Sequence, residues 1–343
     1  MPTPSDKNIL KMDGWPGGVN NRMRETEQTA ERNGESIPSS EFLRQALNVD
    51  ITAEGHPLRR RGYALHTAGY AHSVYYSIEL ALYFVVIEGN LKVGPKADEL
   101  VTIAAVNRYL RMSYAQHAGA VYFTNDQDSG RYSATGLEVW PGPQQEHKVH
   151  DDEGLELVDN LYETMPIGQL VASFSGRIYT AKENELWFSE GLSTHISRLA
   201  VNYYMFPEYI RMLQPVEDGI YIGDDSQIIY LKGTDPLAAE QVNVYSHGVV
   251  PYAYARIPGE KFGVKERSVP VWWTKDGVLS VGLPGGEVRQ LTRDRLAAPE
   301  YGFGAVSLRE REGVSQIVSS LQKGGDANNM SATDTVTAEI RRP

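Results

Sequence analysis

The stretch "GIYIGDDSQIIYLKG", residues 219–233, joins two apolar runs through a polar turn, and its plan recurs along the chain. Asp and Ser suit the turn because their side chains bond nearby backbone amides, while the flanking Ile, Tyr and Leu favour strands. Four other stretches share this plan: "ALYFVVIEGNLKV" (81–93), "AVYFTNDQDSGRYS" (120–133), "RIYTAKENELWFS" (177–189) and "VWWTKDGVLSVG" (271–282). Each has an aromatic near its start, a turn rich in Gly, Asp, Asn or Lys, then a second strand.

The leading aromatics are Tyr83, Tyr122, Tyr179, Tyr221 and Trp272, at spacings of 39, 57, 42 and 51 residues. Their mean of about 47 lies within the roughly 40–50 residues of one four-stranded propeller blade. A further strand-like run precedes every hairpin: "HSVYYSI", "YLRMSY", "QLVASF", "IRMLQPV" and "AYARIP". Outer strands such as "LVTIAAV", "GLEVW" and "EVRQLT" follow several of them. That makes five blades.

"FGAVSLREREGVSQIVSSL" (303–321) adds two strands around Glu312 and Gly313, half a blade, and "ALNVDITAEGHPLRRRGY" (46–63) would supply the other half. The fold expected is therefore all-β, a β-propeller of about six blades closed by pairing of N- and C-terminal strands, which removes exposed sheet edges. The longest spacing, 57, spans "GPQQEHKVHDDEGLELVDN" and either hides or decorates a blade. Helical periodicity is confined to "SSEFLRQAL" (39–47) and a short piece around "DRLAAPEY". Three regions result: residues 1–37 as an extended docking arm, 38–322 as propeller with a short N-terminal helix, and 323–343 as a flexible tail. Within that tail, "TVTAEI" can add an edge strand.

Composition narrows the function. The 343 residues are 41% hydrophobic with 20 Tyr, enough for a large core. A net charge of −11 argues against a sequence-independent grip on nucleic acid, which needs Lys and Arg to displace counterions. With no cysteine, disulfides, thiolate metal sites and cysteine nucleophiles are excluded. The polar N-terminus has no signal-peptide pattern, and the apolar run Leu80–Ile87 falls far short of the roughly 20 residues of a membrane helix. A soluble protein made in the cytoplasm, without membrane insertion, is expected.

Catalytic motifs are weak. His147 and His150 with Asp151, Asp152 and Glu153 would share a face on a helix, but their setting reads as a solvated loop, so neither metal nor cofactor is expected. "TKDGVLSVG" departs from the sialidase Asp-box spacing, "SFSGRIY" lacks a nucleophile elbow, and no phosphate-binding or dinucleotide fingerprint occurs. Asp126, Asp128, Asp224 and Asp225 read as turn residues. Arg59, Arg60 and Arg61 stand out in an acidic chain, as a charged strand that resists wrong pairing or as a contact for an acidic partner or phosphate.

"GWPGGVNNR", then "ALNVDITAEGHPLRRRGY", "ELWFSEG" and "PVEDGIYIGDDSQIIYLKGTDP" together resemble tail-nozzle or tail-hub structural proteins of short-tailed bacteriophages, over residues 14–240. The resemblance implies a non-enzymatic virion protein. It would form a ring of about six copies below the portal and adaptor, part of the DNA ejection channel and its gate. Its partners would be itself, the portal or adaptor, other tail proteins and transiently the genome, after synthesis in the host cytoplasm. Candidate docking residues are Arg59, Arg60 and Arg61, with Gly17, Gly18, Asn20 and Asn21 in the arm, where Gly and Asn allow a tight backbone path. Gate loops would come from 142–160 or "GLSTHISRLAVNYYMFPEY". The competing expectation is a carbohydrate-binding or glycosidase-like propeller for receptor recognition, which requires convergent acids in a pocket on the axis. A cellular scaffolding propeller is weakened by the missing Gly-His and Trp-Asp repeat signature.

Overall fold

The computed structural model describes residues 69–142, 162–294, 296, 300–311 and 314–323. It also gives the backbone of short strands at Gly18–Val19, Thr29–Arg32, Glu35–Pro38, Phe42–Leu43, Val49–Ile51, Pro57–Arg59, Lys148–His150 and Glu156–Val158, and of Thr333–Ile340. Five four-stranded antiparallel blades follow one another, each a meander from an inner to an outer strand. Blade 1 runs Ala71–Ser77, Leu82–Ile87, Asn90–Gly94 and Val101–Ala105. Blade 2 runs Ser113–His117, Ala120–Thr124, Ser129–Ser133 and Gly136–Glu138. Blade 3 runs Leu170–Phe174, Arg177–Lys182, Glu185–Phe188 and Tyr203–Met205. Blade 4 runs Met212–Val216, Gly219–Gly223, Ile228–Lys232 and Glu240–Tyr245. Blade 5 runs Val249–Ile257, Val269–Thr274, Leu279–Gly282 and Val288–Gln290.

Each expected hairpin forms the middle of a blade. The second strands are buried on both faces because neighbouring blades sandwich them, so they are apolar throughout rather than alternating. In Val269–Thr274, Trp272 packs toward blade 4 beside Tyr221 and Met212, while Trp273 packs the other way with Val271, Ile317 and Leu321. Outer strands such as Glu240–Tyr245 are largely solvated.

Hydrogen bonds stitch adjacent blades. Ser77 Oγ of blade 1 donates to Gln116 Oε1 of blade 2 at 3.1 Å, and Val171 N of blade 3 donates to Ser113 Oγ of blade 2 at 3.1 Å. Gln169 Nε2, leading into blade 3, donates to Ile210 O ahead of blade 4 at 3.1 Å. Arg256 Nη1 of blade 5 donates to Pro215 O of blade 4 at 2.6 Å. Pro215 is tolerated because an inner strand is an edge strand.

Three expectations are corrected. Among the described residues five blades form rather than six, and no N-terminal strand pairs with 301–323. Tyr301–Arg311 and Val314–Lys323 instead take Thr333–Ile340 as the third strand of a separate sheet, its Val and Thr residues continuing the ladder. The region 323–343 therefore contains that strand, as the "TVTAEI" pattern suggests. Val49–Ile51 and Pro57–Arg59 pair with each other. Within 39–47, Phe42–Leu43 is strand, paired in parallel with Gly18–Val19, so the helix does not form there. An isolated nine-residue helix is marginal in water, and backbone partners outweigh a short apolar stripe. Among the described residues, the helical segments are single 3₁₀ turns at Gly259–Phe262 and Pro284–Gly286.

The 57-residue spacing decorates the ring. Lys148–His150 pairs with Glu156–Val158, and Tyr162–Thr164 pairs with Ile196–Arg198 outside the blades. The proposed gate segment 191–209 thus contains Ile196–Arg198 and the outer strand of blade 3.

Close packing sets one prediction. A Cβ on Gly282 would lie 2.6 Å from the Trp272 ring and 2.7 Å from the Tyr221 ring. Gly282→Ala is expected to cost about 1–3 kcal/mol in urea unfolding, as overpacking does. An unchanged midpoint would contradict the interlock of blades 4 and 5.

Candidate functional site

Where the first strands of blades 3 to 5 turn into their second strands, a cleft of about 720 Å³ opens. Ser173 and Ser175 line it from blade 3, Glu217 from blade 4, and Arg256, Lys265 and Glu266 from blade 5. Arg256 is held rigidly: Nε donates to Ser268 Oγ at 3.0 Å and Nη2 to Ser268 O at 2.9 Å, besides its bond to Pro215. Arg256 keeps exposed surface, but nearby protein atoms partly desolvate the guanidinium and pull its pKa below the ordinary value, with Tyr75 of blade 1 opposing. Among the described residues Glu266 Oε2 is buried without a hydrogen-bond partner. The cleft therefore offers cations and carboxylates together, a pattern suited to polar ligands such as sugars or small anions.

At the other end of the axis, Asp225 of blade 4 ties the connection leading into that blade to blade 5. It accepts from Arg211 Nε at 3.0 Å and from Lys275 Nζ at 2.6 Å. Burial pushes its pKa upward, but the bonds and charges of Arg211 and Lys275 prevail and hold the carboxyl below its usual range. Arg111, on the connection between blades 1 and 2, lies over the Tyr252 ring of blade 5, 5.1 Å from its centroid.

Two histidines sit in the inner strands. His72 Nδ1 bonds Ser73 Oγ at 2.8 Å and Nε2 meets Arg108 O at 3.1 Å; His117 Nδ1 bonds Ser173 Oγ at 2.9 Å. Burial lowers both pKa values, with Arg111 adding to this at His72 and Arg131 at His117. The folded state thus holds fewer protons than the unfolded chain. Stability is full above the ordinary value of 6.5 and drains as pH falls through the folded values. A His72→Gln/His117→Gln protein is expected to show a flatter loss of melting temperature between pH 7 and 5, read by differential scanning fluorimetry.

The residues expected to dock a partner are placed only in part. Arg59 ends the strand Pro57–Arg59, opposite Val49, and Gly18 pairs with Phe42. Arg60, Arg61, Gly17, Asn20 and Asn21 lie outside the described residues. His150 stands opposite Glu156 in a hairpin rather than on a helix, and His147, Asp151, Asp152 and Glu153 lie outside the described residues. No cluster of three or more metal-ligating side chains occurs among the described residues.

The Asp224 turn forms as expected, with Asp224 Oδ1 accepting from Ser226 N at 2.7 Å and Gln227 N at 2.6 Å. In the blade 2 turn Asn125 takes this part instead, its Oδ1 accepting from Gln127 N at 3.1 Å and Asp128 N at 2.6 Å, while Asp128 Oδ2 accepts from Asn107 N of the preceding connection at 2.7 Å. Arg256, Arg211 and Lys275 were not legible as site residues. Their only sequence signal is a lone cation inside an apolar run, "AYARIP" and "IRMLQPV", or beside a turn, "WTKDG".

No family model matches the chain, and no curated protein matches it. Among solved structures it is similar to the extracellular domain of a one-component system from Bacteroides thetaiotaomicron, at 12% identity and TM-score 0.45, covering 78% of this chain and 33% of that one. An auxiliary nutrient binding protein from the same organism is similar at 10% identity and TM-score 0.45, covering 80% and 70% of the two chains. The WD40 β-propeller domain of Doa1 is similar at 11% identity and TM-score 0.44, covering 79% and 84%. The chain spans about a third of the length of the first of these.

Proposed function

We propose that this chain is a non-enzymatic structural subunit of a short-tailed phage tail, assembled as a ring of about six copies beneath the portal and adaptor. The observation that carries this reading is the N-terminal signature "GWPGGVNNR" with "NVDITAEGHPLRRRGY", set ahead of a β-propeller. The axis of a single propeller is crowded, with Arg111 of the blade 1 to 2 connection over Tyr252 of blade 5 at 5.1 Å. A duplex whose major groove alone is about 12 Å wide cannot thread such an axis. In this reading the DNA channel forms between copies, and the −11 charge keeps its wall from holding the duplex.

Quantitative mass spectrometry of purified virions tests the proposal. The expected result is about six copies of the chain per particle; accumulation in the lysate with absence from virions would overturn it. The cleft of about 720 Å³, with Glu217 and Glu266 in its lining, favours a second reading as a carbohydrate-binding or glycosidase-like propeller for receptor recognition. Retention on a glycan array that Arg256→Ala abolishes would support that reading.

A further inference from the structure

We propose that an exposed apolar face of blade 1 is the seat of this chain's own N-terminal hairpin, Val49–Ile51 with Pro57–Arg59. The proposal is independent of the phage reading. In the inner strand Ala71–Ser77 and the turn after it, Val74, Tyr76 and Ile78 alternate onto one face, exposed by 70%, 44% and 59%. Tyr83 of the next strand, paired with Tyr76, is exposed by 41%, its ring centroid 4.6 Å from that of Tyr76. The opposite face is fully used: Tyr75 stacks on Tyr114 of blade 2 at 5.2 Å, and Phe84 meets Tyr132 at 5.6 Å. Farther along the open face Val85 and Ile87 are buried, so the opening lies at the Tyr83 end.

Four large apolar side chains together are more than the scattered exposure of an ordinary surface. With the C-terminal sheet in place the four remain exposed, and its Ile317 and Leu321 pack on Val271 and Trp273 of blade 5. The chain itself supplies the occupant. Val49 pairs with Arg59 and Ile51 with Pro57, so one hairpin face carries Val49, Ile51 and Pro57, with Arg59 at its end. A lone two-stranded hairpin is marginal in water and gains from a surface to lie on.

Between Arg59 and Ala71 run residues 60–70, which extended reach on the order of 35 Å. That exceeds the roughly 23 Å length of a seven-residue strand, so the tether lets the hairpin lie along the face. A short tether also gives an effective concentration on the order of millimolar, which favours this occupant over a second copy at micromolar protein.

Because the chain has no cysteine, Val74→Cys in this 343-residue chain gives a single reporter thiol. Its maleimide labelling rate is compared with that of Leu192→Cys, at a position 100% exposed. The expected result is labelling at least tenfold slower at Val74→Cys, independent of protein concentration and restored by adding Ile51→Asp, with the circular dichroism spectrum unchanged. In an Ile51→Cys/Tyr76→Cys protein, oxidation should give a disulfide within one chain. Labelling as fast as at Leu192→Cys, protection that grows with concentration, or protection that Ile51→Asp leaves intact would each overturn the proposal.

Discussion

Replacing Trp273 with alanine is expected to lower the free energy of unfolding by about 3–5 kcal/mol, the cost of deleting a large buried aromatic. Trp273 is fully buried between blade 5 and the C-terminal sheet, in contact with a cluster that includes Val271, Leu279, Ile317 and Leu321. Its Nε1 donates to Ser319 Oγ at 2.7 Å, and Ser319 is itself fully buried. Truncation therefore opens a cavity and leaves a hydroxyl without its partner, two costs that add. Urea unfolding measures the loss, and hydrogen exchange along Val314–Lys323 should rise because that strand rests on the Trp273 side of blade 5. Trp273→Phe keeps much of the apolar volume and should cost roughly half as much. Both variants lack the indole N–H and leave Ser319 Oγ without its donor, so equal costs would contradict the cavity as the larger part of the loss.

The second large effect concerns assembly. Reversing Arg59, Arg60 and Arg61 to Glu is expected to leave the propeller folded, since the hydrogen bonds between blades and the aromatic core lie within 69–294. Tail incorporation should fall at least 100-fold. Juxtaposing like charges across an interface costs several kcal/mol, and each 1.4 kcal/mol is a factor of ten. Labelling of Val74→Cys in the same background separates the two uses of this segment. A protected thiol with lost incorporation means that the Arg residues touch the partner; a freely labelled thiol means that the hairpin has left blade 1.

Much of the ring is legible in the sequence because each hairpin joins two apolar runs, the first nearly unbroken, through a turn whose chemistry is local. Tyr83, Tyr122, Tyr179, Tyr221 and Trp272 all fall in second strands. The inner strand of blade 2 is displaced from the expected "YLRMSY" to Ser113–His117, where Ala115 alone is buried and the polar neighbours blur the alternation. Closure of the ring was not legible, because strands that are far apart in sequence compete for the same edge. Thr333–Ile340 pairs with Val314–Lys323 across a short connection, which costs less loop entropy than recruiting the N-terminus. The cleft was hidden for a related reason: Ser173, Glu217 and Arg256 come from three blades and meet only when the ring has formed.

The most direct test of the tail-protein account is to mix the purified chain of 38.2 kDa with tail-deficient particles of a short-tailed phage whose genome carries this sequence and sediment the mixture. The account predicts that the chain moves with the particles at about six copies each and restores infectivity. Protein that stays at the top of the gradient and is instead retained on a glycan array would contradict it.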